Sequence, residues 1–205
     1  MTQRAVGLRV VLVGGTSHAG KSTLARALAE RLGGEALSTD QLARHPGRPW
    51  RHGERDVPPH VAEHYGGLAP EALLDSVMRH YEAMWPGVRE LIERRADDPT
   101  AAPLVLEGSA LLPARVAELA RPDVGAVWLI GDEPLLAARI RRESGFEAAG
   151  EPERRLIAAF TQRTWRYQRA ILANLERLGL PQLTVSDDAG GDALAERALA
   201  LLAGS

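Results

Sequence analysis

Gly15-Thr16-Ser17-His18-Ala19-Gly20-Lys21-Ser22 decides how this chain is read. The stretch fits the spacing G-x-x-x-x-G-K-[ST]. It lies between a short β-branched run, Leu8 to Val13, and a helical pattern in which Leu24, Leu28 and Leu32 recur every four residues. Glycines at these places let backbone wrap an anion closely, and the amides point at it from a helix N-terminus whose partial charge is positive. Lys21 then serves as a compact cation for the outer phosphates of a nucleotide, and Ser22 supplies one oxygen to magnesium. The plain alternative is a glycine-rich turn with a chance lysine, and spacing and flanks together argue against it. The residues expected around the phosphates are Gly15, Thr16, Ser17, His18, Ala19, Gly20, Lys21, Ser22 and Thr23. His18 is expected to be exposed and incidental there, although able to hydrogen-bond a substrate.

The 205 residues carry 25 basic and 27 acidic groups, a formal charge of -2, which argues against a general polyanion binder. Of the basic residues 24 are arginine and one is lysine, and that lysine is Lys21. A guanidinium fork cannot replace an ammonium inside a loop closed on a phosphate, so the position where lysine persists is informative. No cysteine is present, which excludes disulfides, thiolate metal sites and a cysteine nucleophile. Apolar runs such as Val124 to Ile130 fall far short of the roughly 18 residues a membrane helix needs. The first 13 residues do not read as a signal peptide, and a cytoplasmic location is expected.

Short apolar strands alternate with helical patterns along the chain. Strands are expected at Leu8 to Val13, Glu35 to Thr39, Pro103 to Glu107, Gly125 to Ile130 and Leu183 to Val185. Helices are expected from Lys21 to Leu32, through Leu73 to Leu91 with a kink at Pro86, near Pro113 to Ala120, from Glu133 to Glu143, through Leu156 to Leu178, and from Leu194 to Leu202. Strands with little alternation argue for a parallel sheet covered on both faces. Between His45 and Pro59 lie four prolines and two glycines with no regular period, a connection long enough to be functional.

With these residues in hand the chain resembles the small P-loop kinases that phosphorylate metabolites, nucleosides or polynucleotide ends, including the uridine-kinase-like, 2-phosphoglycerate-kinase-like and shikimate/gluconate-kinase-like groups. Three places carry the resemblance: the loop itself, Ser38-Thr39-Asp40 after the second strand, and Leu104-Val105-Leu106-Glu107-Gly108 at the end of the third. It implies a single α/β domain over 1-205, of three layers, with a five-stranded parallel sheet in the order 2-3-1-4-5. It also implies a helical acceptor-binding region, placed at 41-96, and a short arginine-bearing lid, placed at 139-153. The implied cofactors are ATP and Mg2+, and the implied activity is transfer of the γ-phosphate to an alcohol. The segment Glu143 to Gly150 lacks the arginine-rich lid sequence of adenylate kinases. Asp40 and Arg44 stand one residue further apart than the D-x-x-R of polynucleotide kinases.

Asp40 is the candidate general base, since an acceptor hydroxyl must be held in line and lose its proton; capping a helix from Gln41 is its structural alternative. Arg44 and Arg48 are candidates for holding an anionic acceptor, with a solvated charged loop as the alternative. Glu107, where the Walker B acid would stand, is a candidate for both substrate and metal, with Ser22 as the other metal ligand. Arg139 and Arg142 share a helix face; one is expected against the nucleotide and the other, Arg142, at the transferring phosphoryl, while Arg163 and Arg166 form a competing pair. His60 and His64 have metal-like spacing but no third ligand, so zinc is not expected. The partners implied are ATP and a small hydroxylated molecule, with nucleic acid and membrane not expected. A polynucleotide end kinase and a nucleotide-hydrolysing switch protein are the alternatives.

Overall fold

The apolar run after Arg9 forms β1 (Val10–Gly15), buried along its whole length. In the computed structural model, which describes residues 7–43, 47–51, 53, 55–187 and 190–203, β1 lies at the centre of a parallel sheet. It pairs on one side with β3 (Leu104–Glu107), beyond which lies β2 (Glu35–Ser38). On the other side it pairs with β4 (Val124–Gly131), followed by β5 (Gln182–Val185). The order β2-β3-β1-β4-β5 is the one the resemblance implies.

Successive residues of a strand face opposite sides, so β1 supplies two cores. Val11 and Val13 pack with Leu24 and Leu28 of α1 (Lys21–Leu32) and Ala195 of α7 (Gly191–Ala203). Val10 and Leu12 pack with Tyr81 and Val88 of α3 (Pro70–Asp97), Val116 of α4 (Pro113–Ala117) and Ile171 of α6 (Glu151–Leu178). A third cluster joins Trp50 with Val61 and Tyr65 of α2 (Pro59–Gly67), Ile140 of α5 (Glu133–Ser144) and Phe160 of α6. Full burial of Trp50 is what fastens the segment after β2 to α5 and α6; truncating a buried tryptophan typically costs about 3–5 kcal/mol. No helix of the described residues is long and apolar enough to cross a membrane.

Several boundaries differ from the periodicity, each for a local reason. β1 runs two residues past Val13, because Gly14 and Gly15 continue to pair with Trp128 and Leu129. β2 stops at Ser38, whose hydroxyl accepts from the Asp40 amide and starts a 3-10 turn at Thr39–Gln41. The prolines before His60 end no helix; Pro59 stands in the first turn of α2, where its missing N–H costs nothing. α3 continues through Pro86 as one helix of 28 residues. α4 is shorter than expected, and Ala120 beyond it takes a left-handed φ of 45°. α6 begins at Glu151, ahead of its first apolar residue Leu156, on Pro152 and the acidic Glu151 and Glu153.

Gly108 is where β3 meets the 3-10 turn: a Cβ there would overlap the Thr39 side chain. Gly87, exposed in α3, has open space around it. Gly108→Ala is therefore expected to lose about 2 kcal/mol and Gly87→Ala to gain about 0.5–1 kcal/mol, read from urea unfolding midpoints.

Candidate active site

The phosphate-type loop leaves the sheet at its tightest point. A Cβ at Gly14 would overlap the Trp128 ring, and one at Gly15, φ 126°, would lie 2.5 Å from the Leu129 carbonyl oxygen. Thr16 is buried behind the loop; its hydroxyl donates to the Thr164 carbonyl (3.3 Å), while its own carbonyl accepts from Lys21 Nζ (2.8 Å). Gly20, φ 95°, turns the chain into α1. Ser17 through Thr23 then line a cavity of about 1070 Å³, with Gly15 and Thr16 supporting them from behind.

Asp40 and Glu107 face Lys21 across this cavity. Glu107, nearly buried at the end of β3, accepts from Ser22 Oγ at 2.8 Å. A hydroxyl and a carboxylate oxygen so placed fit a hard cation that keeps most of its coordination to phosphate oxygens and water. Among the described residues no group of three or more His, Cys, Asp or Glu that could hold a metal ion is found. Because Ser38 provides the cap, the Asp40 carboxylate is not used for one; Asp40 stays exposed in the cavity wall. Lys21 has its pKa lowered, chiefly by burial, against the opposing pull of Glu107 and Asp40.

Arginines also line the cavity, beside Glu143 and Asp187. Arg139 donates to the His18 carbonyl (3.1 Å) and the Ser186 carbonyl (3.3 Å) and lies 3.4 Å from Asp187, tying the loop to the end of β5. Arg142, exposed, lines the same cavity one turn on, whereas Arg141 pairs with Glu147 and stacks on Phe146 at 4.0 Å. Arg48 also lines it; it ion-pairs with Glu143 at the end of α5 and lies 5.7 Å from the Trp50 ring centre. The Arg51 amide donates to Glu153 (2.9 Å). The segment after β2 is thus fastened to Glu143 and Glu153 of the 139-153 region.

His18 is not the exposed residue expected from the sequence. Its side chain is only 3% accessible, with Nε2 3.0 Å from Glu143 Oε2, and the ring lies 6.0 Å from both Trp50 and Phe160. Burial first, and then the charges of Arg48, Lys21, Arg163 and Arg139, push its pKa down to about 3.

The structure gathers Lys21, Ser22, Thr23, Asp40, Arg48, Glu107, Arg139 and Arg142 on one cavity; Arg44 lies outside the described residues. It separates Arg163 from Arg166. Arg166 pairs with Glu71 at the surface, while Arg163 is 3% accessible, donates to the Tyr65 hydroxyl (3.2 Å), lies over Phe160 at 4.6 Å, and has no carboxylate partner among the described residues. Glu143, Tyr81, Ser109 and Asp187 also line the cavity and were missed, since each comes from an element whose facing no local pattern reveals.

No family model matches the chain. A tRNA dimethylallyltransferase of Anaeromyxobacter dehalogenans is 30% identical over 196 residues, covering 81% of this chain; the chain spans 64% of that protein's length. Among solved structures, a sugar kinase from Janibacter sp. HTCC2649 superposes with a TM-score of 0.58 at 22% identity, over 95% of this chain and 94% of that one. A gluconokinase from Sinorhizobium meliloti 1021 gives 0.51 at 22%, over 98% and 94%. The chain shares the fold of these two kinases over nearly its whole length.

The neutral His18 has a stability consequence. Between the unfolded value of 6.5 and about 3, the unfolded chain binds a proton at His18 that the folded chain refuses, so this contribution is present above pH 6.5 and is lost as pH falls. From pH 7 to pH 5 it amounts to about 2 kcal/mol. The fall in urea-unfolding free energy over that range is expected to be smaller by about this amount in His18→Asn; an equal fall in both proteins would place the proton elsewhere.

Proposed function

We propose that this chain is an ATP- and Mg2+-dependent kinase acting on a hydroxyl of a small metabolite. The observation that carries the reading is the convergence of Lys21, the Ser22 and Glu107 pair, and Asp40 on one cavity that Arg139 and Arg142 also line. Loop amides and Lys21 hold the β and γ phosphates. Mg2+, held by Ser22 directly and by Glu107 through water, would neutralise phosphate charge there. Asp40 orients the acceptor hydroxyl and takes its proton as the oxygen bonds to the γ-phosphorus and the bond to the ADP oxygen breaks. Arg139 packs beside the nucleotide and Arg142 meets the charge developing on the phosphoryl group. The regions 41-96 and 139-153 serve as acceptor-binding region and lid, and closure of the two over bound substrates would keep water from the γ-phosphate.

Arg163 does not line the cavity, but its charge bears on His18 and Lys21 in the wall and favours an acceptor that is itself anionic. A guanidinium buried without a counter-ion among the described residues is costly, and its Nε has no hydrogen-bond partner among them. A carboxylate or phosphate on the acceptor would supply what the protein does not. Arg163→Met is expected to raise the acceptor KM at least about ten-fold while leaving thermal stability equal or higher, as replacement of an uncompensated buried charge allows. An unchanged KM would remove Arg163 from the acceptor site.

A second reading is dimethylallyl transfer to tRNA, favoured by the 30% identity to the Anaeromyxobacter protein. The near-balance of 25 basic and 27 acidic groups supplies no general excess of positive charge for a polynucleotide. ADP release measured across sugar acids, polyols, nucleosides, oligonucleotide ends and tRNA separates the readings, alongside transfer from dimethylallyl diphosphate to tRNA. A small hydroxylated compound is expected to stimulate ADP release, and Asp40→Asn to reduce that stimulated rate at least about 100-fold. A constant release rate whatever is added sinks the kinase reading.

A further inference from the structure

His18 has no role in that mechanism beyond its backbone, yet its conformation is unusual. Its φ of 65° lies in the left-handed region, shared among described non-glycine residues only by Ala120. Glycine would provide the same loop path without strain, so the strained position holds a side chain that the loop's wrapping does not need.

That side chain stands in the cavity wall together with Asp40, Arg48, Tyr81 and Phe160. Among the described residues Nδ1 has no hydrogen-bond partner, and Nε2, although 3.0 Å from Glu143 Oε2, makes no aligned hydrogen bond with it. Buried polar nitrogens left unpartnered are uncommon and costly. Arg48, Lys21, Arg163 and Arg139 all bear on the ring, and Glu143 turns one carboxylate oxygen to Arg48 and the other toward His18 Nε2. Among those cations the imidazole is neutral, with one donor nitrogen and one acceptor nitrogen. A neutral donor and acceptor pair matches a hydroxyl, which also gives and takes one hydrogen bond, better than it matches a carboxylate or an ammonium. The Arg48 to Trp50 segment lies over the ring, so access requires that segment to shift from Glu143.

We propose that His18 contacts the acceptor, hydrogen-bonding a second hydroxyl of the molecule whose first hydroxyl is held by Asp40, so that the substrate class is a polyhydroxylated compound and not a lone alcohol. This rests on the kinase reading above and adds to it a specificity-determining residue.

The test takes the best acceptor from a panel of sugar acids, polyols and nucleosides, together with analogues lacking one hydroxyl each. These are compared in wild type, His18→Gly, which relieves the backbone strain and so keeps the fold accessible, and His18→Asn, which tolerates the left-handed backbone and keeps a donor and an acceptor. For one analogue, wild type should lose about ten-fold in kcat/KM. His18→Gly should lose about ten-fold on the parent compound and little further on that analogue. The loss should appear in the acceptor KM with the ATP KM moving less than about two-fold, and His18→Asn should recover part of it. Equal losses on the parent and every analogue, or a loss confined to the ATP KM, overturn the proposal and leave the kinase reading standing. If no panel compound is phosphorylated, the kinase reading falls and the proposal falls with it.

Discussion

The ends of β1 and β4 come so close at Gly14 and Gly15 that no side chain fits between them, and the cavity depends on that approach. The indole of Trp128 fills the space over Gly14 and donates to the Leu111 carbonyl (2.9 Å), while the Leu129 carbonyl closes on Gly15. The chain therefore turns out of the sheet at its carboxyl edge, where parallel strands bring all their exits to one side. β3, the other neighbour of β1, ends there with Glu107, which accepts from Ser22 in the first turn of α1. Gly108 then admits Thr39 from the next strand, and Asp40 follows it into the cavity. Two tight backbone approaches thus bring three separate sequence segments into one wall.

Charges of both signs line the cavity. Asp40 and Glu107 follow β2 and β3, Arg139 and Arg142 come from α5 with Glu143 and Asp187 close by, and Lys21 is drawn to the Thr16 carbonyl. Arg139 is held by two carbonyls and Asp187 and so is part of the frame, whereas Arg142 has no partner of that kind among the described residues. Arg48 is partly buried, and burial lowers its pKa against the pull of Asp40. Its pairing with Glu143 joins the segment after β2 to α5 beside His18.

How much of this was legible in the residues follows from the range of each signal. The loop, α1 and the five strands are local patterns: glycines, a lysine at fixed spacing, and apolar runs buried on both faces. Their order in the sheet came from the resemblance. Boundaries failed where a residue type acts by position instead of by propensity, as with Pro59 in the first turn of α2 and Ser38 as the cap that frees Asp40. Of the candidate arginines, Arg139 and Arg142, alike in spacing, both line the cavity, whereas packing sends Arg163 to the interior and Arg166 to the surface.

By itself the sequence determined that an anion-wrapping loop joins a buried strand to a helix within a parallel α/β sheet, because those features arise between residues a few positions apart. Only the tertiary structure decided what His18 and Arg163 are. Their burial is set by Trp50, Tyr65 and Phe160, which come from elements far apart in the chain, and charge in a low-dielectric interior is governed by such neighbours and not by adjacent residues.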